Sequence, residues 1–180
     1  MDLRDESELR LTSIVLNGNA RLSGSALPLR PIIEEAVDLT SAIARSRHVA
    51  VDLADSTGPL SAWCERGRVL QILVELISNA VKLSDPGATV TVWTFDEADV
   101  VRVFVRDDGP PLAAEVKYRL FDPWSHATRA SEHGVGLYLS QRIARSLGGS
   151  LSVRASGTRG CVFELALLAH EPGTAPTARA

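Results

Sequence analysis

Residues 65–83 carry the strongest amphipathic pattern in the chain, and this pattern constrains the fold more than any other feature. Its apolar residues recur three or four positions apart, so they share one broad face of a helix. Asp-Pro-Gly at 85–87 ends the pattern. A helix with so wide an apolar face must pack against a second layer of secondary structure. The apolar positions are Val69, Leu70, Ile72, Leu73, Leu76, Ile77, Ala80, Val81 and Leu83.

Segments of alternating apolar and polar residues predict the strands of that second layer. Residues 88–95 and 99–106 are joined by a short polar link, and we expect them to pair as a hairpin. Residues 150–156 and 160–168 predict another antiparallel pair. Helices with mostly antiparallel strands indicate an α+β domain, with the helices layered on one face of the sheet. Shorter strands are predicted at 49–54 and 60–64, and further helices at 3–22, 32–46, 112–120 and 135–147.

The length of 180 residues suits one compact domain with an added arm and tail. We expect the domain at residues 32–168, preceded at 1–31 by a helix and a connector rich in Ser, Gly and Pro. Pro31 suits the start of the helix that follows this connector. Residues 169–180 lack periodicity and predict a disordered tail.

Composition excludes several classes of protein. The net charge of −3 at pH 7 gives no broad attraction to nucleic acid. Cys64 and Cys161 are too few for a disulfide framework and lack metal-pair spacing, so we expect two buried thiols of a reducing compartment. The acidic N-terminus is unlike a secretory signal, and no apolar run reaches the roughly 20 residues of a membrane helix. We expect a cytoplasmic chain that does not itself insert into a membrane.

A polar stripe interrupts the apolar helix at residues 65–83. Glu75 and Asn79 are four residues apart and share a face, and Lys82 lies near them. Carboxylate and amide oxygens suit magnesium, and lysine suits phosphate, so the stripe fits a metal–triphosphate. On spacing alone, a solvated face of an amphipathic helix is the better interpretation.

Two glycine-containing segments add further candidate site residues. The segment VFVRDDGPPL ends a strand in Asp107-Asp108-Gly109, where an aspartate can accept a hydrogen bond from the amino group of adenine. In EHGVGLYLSQ, Gly134 and Gly136 precede or open a helix, whose N-terminus favours phosphate. Each signal is weak alone, because acidic turns and helix-opening glycines are common.

The order and spacing of these segments resemble the GHKL ATPase superfamily, and more narrowly the catalytic ATP-binding domain of sensor histidine kinases. ELISNAVKLS resembles the N box of that family, and VRDDGPPL, LFDPW, HGVGL and GTRGCVF resemble its remaining glycine and phenylalanine boxes. The resemblance runs from about Ile32 to Leu168. It implies the Bergerat ATP-binding fold, a two-layer α/β sandwich whose mixed, mostly antiparallel sheet is covered on one face by helices.

The resemblance also implies a role for each matching residue. Asn79 would coordinate Mg²⁺ between the phosphates of ATP, and Asp107 would bind the adenine amino group. Glu75 occupies the position of a general base in the ATPase branch of the superfamily. The resemblance also implies a mobile lid between the two glycine boxes, at residues 121–133. The other candidate nucleotide contacts are Lys82 and Gly109, then Phe121 and Arg129 in this lid, and then Gly134, Val135, Gly136 and Leu137. Arg129 is either a phosphate contact or a solvated side chain.

Three residues depart from the pattern of the family. Pro111 stands where a glycine is usual, and proline excludes a positive φ there. Glu132 replaces a further glycine and His133 a small hydroxyl residue. We expect these changes to reshape the lid or weaken affinity while nucleotide binding survives.

A histidine kinase also needs an acceptor histidine on a dimerising helical hairpin, and this chain has none in that context. We therefore expect it to supply the ATP-binding half of a kinase, from a split enzyme or a larger membrane-bound sensor. Its partners would be a histidine-bearing dimerisation domain and a response regulator. Residues 3–22 are similar to the end of a hairpin helix. The alternatives are an anti-sigma-type serine kinase, a GHKL ATPase, or a degenerate regulatory nucleotide-binding module. The histidines are His48, His126, His133 and His170.

Overall fold

A computed structural model describes residues 24–54, 60–111, 120–122, 134–155 and 159–173. The predicted helices at 3–22 and 112–120, most of the lid and the end of the predicted tail lie outside these residues.

Three helices and seven strands make up the described part of the chain. The helices are α1 (Leu29–Arg47), α2 (Arg66–Leu83) and α3 (Gly134–Ser146). The strands are β1 (Ser25–Pro28), β2 (Ala50–Leu53), β3 (Ser61–Cys64), β4 (Thr89–Glu97), β5 (Val100–Arg106), β6 (Ser150–Ala155) and β7 (Cys161–Leu168). The prediction of an α+β domain is confirmed.

Five strands form the main sheet in the order β2-β4-β5-β7-β6. Strand β2 runs parallel to β4, and every other neighbouring pair is antiparallel. The predicted hairpin of β4 and β5 is confirmed, with Ala98 in its turn at a φ of 49°. The predicted pairing of β6 with β7 is also confirmed. The sheet is therefore mixed and mostly antiparallel.

The prediction that residues 23–31 are a connector is wrong. This segment contains β1, which pairs antiparallel with β3 in a separate two-stranded sheet, and it continues into the first turn of α1. Pro31 is accordingly the third residue of α1, where the missing N–H is still harmless. A strand partner distant in sequence decides this structure, so the local turn-forming composition gives no sign of it.

The core lies between the main sheet and the helices, which cover one of its faces. Val101, Val103 and Val105 of β5 are fully buried there, as are Leu76 and Ile77 of α2. The opposite face carries a different set of side chains: Trp93 stacks on Phe104 with 5.0 Å between the ring centres, and the Arg154 guanidinium lies 5.4 Å from the centre of the Phe104 ring. None of the three described helices is long and apolar enough to span a membrane.

Candidate nucleotide-binding site

The polar stripe on α2 is organised by a hydrogen bond. Asn79 is 6% exposed, and its Nδ2 donates to Glu75 Oε1 at 2.8 Å. Because a carboxylate only accepts, the amide nitrogen must face Glu75, which leaves Asn79 Oδ1 as the amide atom suited to a cation. The interpretation of this stripe as a solvated helix face is wrong for Asn79, because its side chain is buried.

Helix α3 brings the second glycine segment against the Glu75 carboxylate. A methyl group in place of the Gly136 hydrogen would overlap the Glu75 carboxylate, so a larger residue at this position would require the Glu75 side chain to move. Gly134 is the first residue of α3, and the first turn of a helix presents unpaired backbone N–H groups. Val135 is 59% exposed, whereas Leu137 is buried and packs the first turn of α3 against the core.

Lys82 lies on α2 one turn beyond Asn79 and is partly exposed. Its carbonyl oxygen accepts a hydrogen bond from Arg47 Nη1 at 3.1 Å, so the end of α2 is tied to the end of α1. Contact of its ammonium group with phosphate stays a prediction.

The second part of the site is built around Asp107, directly after β5. Its side chain is 1% exposed, and each carboxylate oxygen accepts a hydrogen bond. The Gly109 N–H donates to Oδ1 at 2.9 Å, and the Cys161 thiol donates to Oδ2 at 2.8 Å. Burial raises the pKa of the Cys161 thiol, and the charge of Asp107 and this hydrogen bond raise it further. The thiol therefore remains protonated and remains a donor.

Two glycines let three backbone segments meet beside Asp107. A Cβ at Gly109 would lie 2.5 Å from the Leu83 carbonyl oxygen at the end of α2. Gly160 has a φ of +69°, and a Cβ there would overlap the Asp107 carbonyl oxygen. The Gly160 N–H donates to the Gly109 carbonyl at 2.8 Å. Arg159, the neighbour of Gly160, forms an ion pair with Asp85 just beyond α2.

Cys161 was not among the predicted site residues; the sequence indicated only an inert buried thiol. The β5–β7 register pairs Arg106 with Val162, so the next positions, Asp107 and Cys161, lie opposite each other. The Asp107 N–H also donates to the Cys161 carbonyl at 3.1 Å. A prediction that the strand at 99–106 pairs with that at 160–168 would have revealed the contact.

The lid is described only in part. Phe121 is partly buried and packs against the core. Pro111 is exposed at the end of a described segment. Arg129, Glu132 and His133 lie outside the described residues, so the prediction of a phosphate contact by Arg129 remains a prediction.

Comparison with curated proteins finds sensor kinases. The chain is 32% identical over 114 residues to the aerobic respiration control sensor protein ArcB of Escherichia coli K12, covering 60% of this chain and 14% of ArcB. It is 30% identical over 180 residues to the sensor histidine kinase TrcS of Mycobacterium tuberculosis, covering 95% of this chain and 35% of TrcS. The chain thus spans only a minor part of the length of these relatives.

Solved structures show the same fold. The catalytic domain of histidine kinase ThkA superposes with a TM-score of 0.74 at 23% identity, covering 82% of this chain and 96% of that domain. Full-length ShkA in complex with AMPPNP also gives a TM-score of 0.74 at 23% identity, covering 94% of this chain and 38% of ShkA. These similarities confirm the two-layer architecture expected from the resemblance.

The family comparison agrees with both results. The model of the histidine kinase-, DNA gyrase B- and HSP90-like ATPases matches residues 64–171, which include α2, α3 and both parts of the site. The chain belongs to this family.

Proposed function

We propose that this chain is the ATP-binding catalytic domain of a sensor histidine kinase. One observation supports the proposal most strongly: the region around Asn79 and the region around Asp107 both contact the C-terminal half of α2. Glu75, which accepts the Asn79 amide, lies against Gly136 in the first turn of α3, and the Leu83 carbonyl lies against Gly109. Asn79 and Leu83 are separated by a rise of about 6 Å along the helix, so one extended ligand can reach both regions.

Asp107 would bind the adenine base of ATP. Each of its carboxylate oxygens uses one lone pair on Gly109 or Cys161 and keeps a second lone pair. The second lone pairs can accept the amino group of adenine, while the small surface of Gly109 lets the base approach the backbone.

Asn79 fits a magnesium site shared with the phosphates of ATP. Within the described residues there is no group of three His, Cys, Asp or Glu able to hold a metal, and Asn79 Oδ1 is the protein oxygen that would hold the cation of a metal–ATP complex. Bound magnesium would supply neutralisation of the phosphate charge. Lys82, Phe121 and Arg129 would contact the triphosphate or close over it, and Gly134 and Gly136 would offer backbone N–H groups.

The γ-phosphoryl group would pass to a histidine on a dimerisation domain, and then to a response regulator. Sequence similarity to ArcB and TrcS supports phosphoryl transfer to histidine over the serine kinase and ATPase alternatives. The site geometry supports it too: the Glu75 carboxylate holds the Asn79 amide and packs against Gly136, which suits an orienting group better than a general base for water. His48 ends α1 in the left-handed conformation, and its carbonyl oxygen accepts a hydrogen bond from the Gly87 N–H, while its side chain is exposed.

Two assays test the proposal. Titration with a fluorescent ATP analogue, with and without magnesium, should show binding that magnesium strengthens; no binding at millimolar nucleotide would refute it. Radiolabelled ATP is then incubated with this chain and a dimerisation domain that bears an acceptor histidine. An acid-labile, base-stable phosphoprotein supports the histidine kinase. An acid-stable phosphoserine supports the serine kinase, and release of free phosphate alone supports the ATPase.

A further inference from the structure

The main sheet has a second face, which the three described helices do not cover, and we call it the outer face. Its side chains come from alternate positions of the five strands, among them Trp93 of β4 and Phe104 of β5, whose rings stack. Phe95 lies two residues beyond Trp93 on the same face and is 51% exposed. An antiparallel sheet can face water on one side, but its outward residues are then mostly polar. Three aromatic residues on neighbouring strands therefore indicate an interaction surface.

The charged side chains of the outer face balance one another. Arg102 forms ion pairs with Glu97 and Glu164, and Arg154 Nη2 lies 3.8 Å from Glu164 Oε2. Three arginines and three acids give the face a net charge of zero. A neutral face with both signs of charge does not attract a strongly charged partner, whereas it matches a second copy of itself. The charged residues of this face are Asp52, Glu97, Arg102, Arg106, Arg154 and Glu164.

The two sides of the outer face differ in the size of their side chains. The register of the sheet sets Phe95 of β4 in one row with Arg102, Ala166 of β7 and Ser150 of β6. A two-fold axis along β5 would place β4 of each copy over β7 of the other. Phe95 would then lie over Ala166 of the second copy, so a large side chain would meet a small one on each side of the axis.

The area of the outer face suits a weak dimer. Five strands of about seven residues each cover roughly 24 Å by 23 Å, which gives two copies a contact of about 1,100 Å². Specific interfaces begin at about 1,000 Å², and stable dimers bury more. Interfaces of standard size dissociate at about 1 µM or below, so this smaller one should dissociate above about 1 µM.

We propose that the outer face binds a second copy of this chain, with the two sheets packed back to back about a two-fold axis. The candidate nucleotide site lies on the other side of the sheet, where α2 and α3 pack. Both sites therefore stay open in the dimer. The proposal is independent of the proposed kinase function, because it uses none of the residues of that site.

Sedimentation velocity over a range of protein concentrations tests the proposal. The wild-type chain should shift from monomer to dimer as its concentration rises above about 1 µM. Phe95→Arg should raise the dissociation constant at least about tenfold, because it removes an aromatic anchor and adds an unbalanced charge. Ser150→Arg, on the far side of the same face, should also weaken the dimer.

Leu39→Arg is the matched control. Leu39 is 60% exposed on α1, so the same kind of change falls on the opposite layer of the domain. This variant should dimerise like the wild-type chain. Because Phe95, Ser150 and Leu39 are all exposed, the three variants should keep the thermal unfolding midpoint of the wild-type chain.

Three outcomes would overturn the proposal. The first is a wild-type chain that stays monomeric at hundreds of micromolar, about a hundredfold above the expected threshold. The second is a dimer that Phe95→Arg or Ser150→Arg leaves intact, which would place the contact elsewhere. The third is a monomer that binds a histidine-bearing dimerisation domain and loses this binding in Phe95→Arg, which would assign the outer face to that domain.

Discussion

The two regions of the candidate site are held by different kinds of contact. Around Asp107, the groups that meet are mostly backbone: the N–H of Gly109, the carbonyl of Leu83 and the positive-φ turn at Gly160. Around Asn79, the decisive contacts involve a side chain, because the Glu75 carboxylate both accepts from the amide and packs against Gly136. The region that we propose binds adenine is therefore part of the sheet framework, whereas the region that we propose binds the phosphates depends on a carboxylate that can change rotamer.

This difference has a consequence for ligand binding. A backbone carbonyl such as that of Leu83 moves only with its helix, but the far end of a glutamate side chain moves at little cost. We expect the adenine region to keep its geometry in the free and bound protein. We expect the phosphate region to adjust around magnesium and triphosphate.

The largest effect should come from Asn79→Ala. The variant loses the amide oxygen proposed for magnesium, and phosphoryl transfer should fall about 10²–10³-fold, as for loss of one group that stabilises transition-state charge. Thermal unfolding should stay cooperative, because the polar stripe is not the core. Retained phosphoryl transfer would refute the assignment of Asn79 to magnesium. It would also contradict the phosphate-binding role proposed for the region around Asn79.

Asp107→Asn should lower ATP affinity about 10–100-fold, the range expected for about 1.4–2.7 kcal/mol of lost or mismatched hydrogen bonding to a charged group. The amide nitrogen would face either the Gly109 N–H or the Cys161 thiol, both of which are donors. Isothermal titration with ATP measures the loss. Inosine triphosphate serves as the control, and its affinity should change less than that of ATP.

Gly109→Ala and Gly136→Ala test rigid and adjustable contacts directly. At Gly109 the added methyl group meets a backbone carbonyl, so urea unfolding should show a loss of about 1–3 kcal/mol, as for overpacking of a tight site. At Gly136 it meets the Glu75 carboxylate, which can move, so the loss should be smaller. The Gly136 variant should instead weaken the dependence of ATP binding on magnesium. Equal losses of stability would mean that the two regions are equally rigid.

The smallest effect concerns Cys64 and alkaline pH. Burial raises its pKa from 9.0 to about 11, so the folded protein keeps a proton that the unfolded chain releases above pH 9. Stability must then fall as pH rises from 9 to 11, by roughly 1 kcal/mol per pH unit. Cys64→Ala lacks this contribution, so its free energy of unfolding should decline less steeply than that of the wild-type chain. Parallel declines would contradict the shifted pKa.

Periodicity predicted most of the fold. Helix α2 and the β4–β5 hairpin were found within a few residues, because each has a strong apolar repeat and a turn signal at its end. Strand β1 was missed, because its four residues pair only with β3, which follows α1 in the chain. The predicted strands at 49–54 and 60–64 also join different sheets, since β2 pairs with β4. Strand partners distant in sequence leave no local pattern.

The sequence by itself determined the family and predicted the chemical groups of the candidate site, because the ordered motifs carry both. Only the tertiary structure decided which groups meet. It set Gly136 against Glu75, turned the amide of Asn79, and placed the Cys161 thiol on Asp107. These contacts depend on helix packing and on the register of β5 with β7, in which a slip of one residue would move Cys161 to the other face of the sheet.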